Sequence, residues 1–457
     1  MFPATKHALS LIWSALGGEA DWLERMRFVG EGDLPSVFAV SDLAGASVGA
    51  ACLAVSELLA ARRGNGPQAT VDRRLAAFWF HSSIRPQGWS TPPSWDVVAG
   101  DYRAADGWIR LHTNAPHHRA AALAVLGAAA DREEVARAVR SWQADALEGA
   151  VVQNGGCAAA MRGMAAWAGH KQGQAVMAEP LLIHEPGNAG PAPRWSVPPG
   201  RPLQGVRVLD LTRVLAGPVA TRFLAGFGAE VLRIDPPGWD EPGVVPDMTL
   251  GKRCARLDLR RPADRETWER LLGQADVLVH GYRAGALVGL GLDSRRRQAL
   301  CPGLVDVSLD AYGWSGPWRD RRGFDSLVQM SAGIADAGMQ GMGRDRPTPL
   351  PVQALDHATG YLLAAAVVRG LTGRLTTGKG GSTRASLART AVLLANLPTI
   401  KTAPPAPETP GDQAAAVEMT AWGAARRVKA PCGLEGAPMR WDLPAAQLGS
   451  APAAWVA

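Results

Sequence analysis

Short apolar runs bounded by glycine or proline punctuate the middle of this chain. Val206-Arg-Val-Leu-Asp-Leu211 is the first and reads as a buried strand. A turn over Arg213 to Pro218 and a helix to about Phe227 follow, and Gly228-Ala-Glu-Val-Leu-Arg-Ile-Asp235 is a second strand. Together they make a βαβ unit. Further apolar runs at Ala275 to Val279 and Leu304 to Leu309 continue the alternation. The expected fold is α/β, a Rossmann-like parallel sheet with helices on both faces. Nearer the N-terminus, Ala8 to Leu16 predicts an amphipathic first helix rather than a signal peptide. Gly45 to Ala61 is Ala/Gly-rich but carries Ser47, Ser56 and Glu57, which predicts a buried helix and no membrane span.

Proline divides the chain. Between Pro186 and Pro202 lie six prolines and three glycines, a natural seam. Ala403 to Gly411 holds four more prolines. The expected organisation is therefore a segment 1–185, a linker 186–202, a segment 203–400, a linker 401–412 and an unassigned polar tail 413–457. The two large segments share a piece at a constant offset of 314 positions: Pro35 matches Pro349, Asp42 matches Asp356, and Gly64 and Gly66 match Gly378 and Gly380. Each copy reads as an aspartate opening an Ala-rich helix, then a Gly-x-Gly turn. Ala-rich helices match one another cheaply, so the paired Asp and Gly positions carry the signal for an internal repeat.

The 457 residues are enough for at least two cores, and 47% hydrophobic with 20% charged residues excludes a disordered or fibrous chain. A formal charge of +6 first suggests a polyanion partner. Its basic runs, Arg295 to Arg297 and Arg319 to Arg322, are short and lie near acids, so no nucleic-acid face is predicted. Five cysteines lie far apart with no C-x-x-C, which argues for a reducing, cytoplasmic setting and against structural zinc. His117, His118, Asp96 and Asp101 lack metal-site spacing, so no metal is expected. Asp235 ends a strand as the ribose-binding acid of NAD enzymes does, but the turn lacks G-x-G-x-x-G, which argues against a dehydrogenase.

Three blocks of the middle segment resemble the family III CoA-transferases, also called the CaiB–BaiF family. They are Leu209-Asp-Leu-Thr-Arg-Val-Leu-Ala-Gly-Pro218 with Gly228-Ala-Glu-Val; Ala275-Asp-Val-Leu-Val with Tyr282-Arg-Ala-Gly and Leu290-Gly-Leu; and Asp356-His-Ala-Thr-Gly360 with Thr377-Gly-Lys-Gly-Gly and Ser386-Leu. Asp106-Gly-Trp-Ile-Arg-Leu, Asn114, Trp142 and Gly155-Gly-Cys in the first segment are similar to the family's small domain and returning C-terminal part. The two halves thus stand in reverse order, as a circular permutation or a fusion of incomplete copies would leave them.

The resemblance implies a transferase that moves CoA from an acyl-CoA donor to a free carboxylic acid, in a homodimer, with CoA as substrate and no resident cofactor. It implies that Asp356 is the nucleophile. A carboxylate at a helix N-terminus fits that role, although aspartate there is also a common N-cap. Asp42, its repeat counterpart, is either a structural cap or an alternative nucleophile. Arg213, Val214, Leu215, Ala216, Lys252, Gly281, Tyr282 and Arg322 match family positions at the CoA site. The family's glycine-rich closing loop has no clear counterpart, although Ala99-Gly100 stand near its place. Asp325, a possible secondary catalytic residue, follows Phe324 where the related racemases carry histidine, and no histidine lies between His280 and Asp325. That favours a transferase over an α-methylacyl-CoA racemase. A catalytically inactive CoA-binding paralogue is the other alternative.

Overall fold

The computed structural model describes residues 2–283, 285–400 and 402–456. Its largest sheet runs in the order Lys252–Arg256, Glu230–Asp235, Arg207–Leu211, Val277–His280, Val305–Asp310, Lys379–Ser386 and Ile183–Ala189. Six of these strands pair in parallel, and the last is antiparallel. The side-chain period of two sends alternate residues to opposite faces. Val208, Val277, Val279, Val305 and Val307 enter one core with the helices Ala216–Gly226 and Ala354–Thr377. Leu209, Leu211, Leu232 and Leu278 enter another with Trp268 and Leu272 of the helix Pro262–Leu272. Burial on both faces explains why these strands read as unbroken apolar runs.

The edge strand Ile183–Ala189 starts in the first segment and runs into the proline-rich stretch expected to be a linker. Pro186 is tolerated because an edge strand has one unpaired side. A smaller sheet, Gly100–Arg103, Trp108–Leu111 and Ala158–Ala160, carries its own core of Val98, Tyr102, Ile109, Leu111, Val135 and Leu147. Its strand Ala158–Ala160 meets the helix Asp325–Ser331 through Cys157, Ala159, Leu327 and Met330. The tail is part of the fold. Gly423–Arg427 pairs with Ile84–Pro86 and with Glu418–Thr420, and Cys432–Leu434 pairs with Ala69–Asp72. Buried Asp247 joins three segments by binding Arg222 (2.5 Å), Arg427 (3.0 Å) and the Ser83 N–H (3.0 Å).

The helices Val40–Arg63 and Ala354–Thr377 each have 24 residues, share the offset, and pack against one another. Each ends at a left-handed glycine, Gly64 (φ 79°) and Gly378 (φ 72°), where a Cβ would be strained. The correspondence runs further than the sequence comparison took it. The strands that end at Asp72 and Ser386, and the helices Arg73–His81 and Leu387–Ala395, keep the same offset. Asp72 and Ser386 each cap the following helix by accepting backbone N–H bonds. Cys432–Leu434 lies antiparallel beside one copy as Ile183–Ala189 does beside the other. The chain thus holds one full sheet unit and one shortened copy. The helix Val40–Arg63 is long and apolar enough to cross a membrane, but 89% of that apolar window is buried inside the protein.

The Ala354–Thr377 helix crosses Ala216–Gly226 closely at Gly360, where a Cβ would meet the Ala216 carbonyl oxygen at 2.3 Å and Val219 at 2.8 Å. Gly360→Val should therefore cost about 1–3 kcal/mol through overpacking, read as a lower urea midpoint. Gly373→Ala on the same helix meets nothing within 4 Å and should add about 0.5–1 kcal/mol of stability, read as a higher midpoint.

Candidate active site

In an open parallel sheet, ligands bind beyond the carboxyl ends of the strands where the strand order reverses. Here that point lies between Arg207–Leu211 and Val277–His280. The turns leaving these strands carry Arg213, Val214 and Leu215 on one side and Gly281 and Tyr282 on the other. Val214 has φ 65°, the positive-φ non-glycine position among the described residues, which is costly for a β-branched side chain. Glu241 holds it: its carboxylate accepts the Val214 N–H (2.9 Å) and the Trp239 indole N–H (3.0 Å), and pairs with Arg233. The Arg213 guanidinium sits over Trp239 (4.7 Å) and Tyr282 (5.2 Å) and donates to the Tyr282 hydroxyl (3.0 Å). No carboxylate pairs with it among the described residues. Such a cation, held flat by aromatic faces, is available to an anion.

Asp356 is the third residue of its helix, and the cap position is Gln353. Asp356 is therefore not the N-cap. Its own N–H donates to Asp325 (2.9 Å), which also accepts from the Gln329 amide. Gln329 in turn accepts the Leu350 N–H (2.7 Å), tying down the loop that enters the helix. Burial pushes Asp325 up to about 6, although the donors from Asp356 and Gln329 favour its charged form. Burial, and then the Asp325 charge, push Asp356 well above the usual aspartate value. The donors serve Asp325 and none serves the Asp356 carboxylate among the described residues. The pair therefore holds its negative charge first on Asp325 and its proton on Asp356.

Asp42, at the matching place in the other helix, has a different environment. Its carboxylate accepts from the Thr5 hydroxyl and from Arg73 (2.9 Å), which also binds Asp33 (2.7 Å). It is a neutralised ion pair, and neither a helix cap nor a free carboxylate. Lys252 does not face the crevice either. It is 1% exposed, and its ammonium donates to Asp210 (3.1 Å), the Pro218 carbonyl (3.0 Å) and the Thr221 hydroxyl (2.6 Å), so all three protons are used inside the sheet. A strand residue that points inward cannot reach a phosphate. Asp235 is likewise consumed, by a two-point bond to Arg233. Leu215 packs on the core and Ala216 opens the helix behind Val214. Arg322 is exposed and, among the described residues, has no ion-pair partner. Arg322 lies near the His117–His118 pair. Burial, then the neighbouring charges including Arg322, lowers His118 to about 4. His117 is lowered by burial and then by the charges of Arg322 and Arg213.

Several residues of the site were not found from the sequence. Trp95, Asp96, His112 and Ala115 of the first segment meet Val214, Trp239, Glu241 and Phe324 of the middle one around a pocket of about 230 Å³. The His112 ring stacks on Phe324 at 3.7 Å, with interplanar angle 7°. Burial keeps it neutral by lowering its basicity well below the usual histidine value. His112 thus lies against Phe324 and Ser326, the two residues that flank Asp325, and is supplied from 214 positions before Ser326. Nothing in the local motif could have shown it.

Residues 203–424 match the model of CoA-transferase family III. The chain resembles that family over this region. It is 35% identical over 230 residues to an acetyl-coenzyme A transferase, nodX, of Hypoxylon pulicicidum, covering 47% of this chain and 38% of that protein. It is 31% identical over 226 residues to the succinyl-CoA:glutarate CoA-transferase of Mus musculus, covering 45% of this chain and 51% of the relative. The chain therefore spans about half or less of the length of these relatives. A solved CaiB/BaiF family protein from Brucella suis aligns with TM-score 0.39 and 28% identity over 49% of this chain and 65% of that one.

The raised carboxylate in the family III region has a stability consequence. A carboxyl group whose folded-state value is raised loses stability as pH climbs past its unfolded value, near 3.8 for aspartate. Asp356→Asn should therefore raise the thermal midpoint at pH 7 to 8 and leave it unchanged near pH 4, as scanning calorimetry would show.

Proposed function

We propose that this protein transfers CoA between carboxylic acids through Asp356. The observation that carries the reading is the contrast between the two repeated aspartates: Asp42 is locked to Arg73, whereas Asp356 is buried, unpaired and backed by a second carboxylate. The Asp356 carboxylate attacks the thioester carbonyl carbon of the donor, the C–S bond breaks, and CoA leaves as thiolate. The thiolate then attacks the side-chain carbonyl of the resulting mixed anhydride, releasing the donor acid and leaving an aspartyl-CoA thioester. The acceptor carboxylate displaces CoA from this thioester, and the thiolate attacks the new anhydride at its acyl carbon, which yields acyl-CoA and restores Asp356. No net proton is consumed. An ill-solvated carboxylate is high in energy and correspondingly nucleophilic once ionised, while the helix N-terminus beneath it limits that cost. Arg213 and Arg322 are the cations for the CoA phosphates, and Lys252 is not among them.

Within this reading, the chain completes its own centre. The reversed halves bring the small-sheet residues onto the Rossmann-like half of the same polypeptide, and the two Asp helices pack together as two copies would in a dimer. One competent centre per chain follows, in place of the interlocked homodimer that the resemblance implies. A racemase would need an acid/base pair on the substrate α-carbon. The one histidine stacked beside Asp325, His112, has no hydrogen bond to either carboxylate among the described residues.

Incubation with acyl-CoA and hydroxylamine, followed by peptide mass mapping, tests the assignment. Modification is expected at Asp356 at one per chain, in a species that light scattering reports as a single chain. Label at Asp42 alone would overturn the site, and none at either would support an inactive CoA-binding protein. The pH dependence gives a second test. The rate should fall as pH drops and Asp356 takes its proton, and Asp325→Asn, which keeps an acceptor for the Asp356 N–H but removes the charge, should move that acidic limb to lower pH.

A further inference from the structure

The pocket between the first and middle segments has a definite chemical character. Trp95, Trp239, Phe324, Pro93, Pro242, Val214 and Val244 give it apolar walls. Its volume, about 230 Å³, exceeds the roughly 150 Å³ that admits benzene in an apolar cavity. Neither Asp325 nor Asp356 lines it, but two of its lining residues are joined by the chain to neighbours of Asp356. Phe324 precedes Asp325, which takes the Asp356 N–H. Val214 precedes Ala216, whose carbonyl oxygen sits against Gly360, one turn beyond Asp356.

The polar lining is one-sided. It contains three carboxylates, Asp96, Asp240 and Glu241, and neither lysine nor arginine. Asp96 is turned to Arg119 (2.8 Å) and Thr113 (2.7 Å), and Glu241 to Arg233 and Val214. Asp240 makes a short-range bond to the Glu241 N–H (2.8 Å) and has no cation among the described residues. His112 is neutral at physiological pH, and the Asn114 amide is spent on the Ser94 carbonyl (2.8 Å). Arg110 and Arg213 lie over the Trp95 and Trp239 rings, each 4.7 Å from the ring centroid, and neither lines the pocket. A second carboxylate placed here would be desolvated among acceptors with no counter-charge.

We infer that this pocket receives the acyl group, accepts apolar monocarboxylic acids, and excludes dicarboxylic ones. The inference rests on the transferase reading above and adds the substrate class to it. Hexanoyl-CoA and succinyl-CoA, each trapped with hydroxylamine at Asp356 and quantified by mass spectrometry, separate the two. Hexanoyl-CoA should label Asp356 at least about tenfold faster. Equal labelling, or faster labelling by succinyl-CoA, would overturn the pocket inference and leave the transferase standing. No label from either would overturn the transferase reading and the inference with it. Asp240→Arg, an exposed change at the rim, should narrow the hexanoyl-to-succinyl ratio at least about threefold by supplying the missing cation. Trp95→Ala should slow labelling by hexanoyl-CoA with little change for acetyl-CoA. If both variants keep the wild-type ratios, the acyl group does not sit in this pocket.

Discussion

The packing of two repeated alanine-rich helices against each other is the constraint on which the rest of the structure depends. Their small side chains let the backbones approach, and the same closeness at Gly360 draws the second helix onto the first turn of the Rossmann-like unit. That crossing lies one turn beyond Asp356 and just after the strained Val214 turn. Substituting a larger residue at the crossing would push the Asp356 helix and the Ala216–Gly226 helix apart. Fold and site are therefore one geometric problem, in which the interior is dense enough to transmit any shift.

A pair of like carboxylates is the second organising feature. Asp325 collects the hydrogen-bond donors, so it carries charge at modest cost and fixes the backbone of the helix entry. Asp356 collects none and is left poorly solvated. Proteins avoid such groups unless function retains them, and the instability is local to the place where a reactive carboxylate would be useful. In the repeated copy the same position is satisfied by Arg73 and Thr5, and that copy lacks the strands that would build a crevice around it.

Much of the scaffold was legible in the sequence. The period of two, the glycine boundaries and the alternation of elements suffice for the parallel sheet, because strands buried on both faces must be apolar whatever their neighbours. The offset of 314 showed the repeat, though only its aspartate and glycines stood out. Asp325 and Arg213 were marked only by the resemblance of the short motifs around them to a family. Lys252 could not be judged in this way: a lysine on a strand has the same local sequence whether it points to solvent or, as here, to Asp210 and Thr221. The tail looked polar and unplaced because its anchors, Trp441 on the Arg222 carbonyl and Trp455 on the Leu271 carbonyl, are single residues spread along irregular chain.

What the sequence by itself determined is the alternation of strands and helices in the middle of the chain, the duplicated aspartate helix and the resemblance to CoA-transferase family III. These depend on short-range periodicity and on conformational limits that a few neighbouring residues impose. What only the tertiary structure decided is which of two equivalent aspartates is left without a partner, and which residues enclose it. Arg73 reaches Asp42 from 31 positions away, and His112 reaches Ser326 from 214 positions away. Electrostatic pairing and stacking act through space, so their outcome follows from where the folded chain brings side chains together, and not from the order in which they are strung.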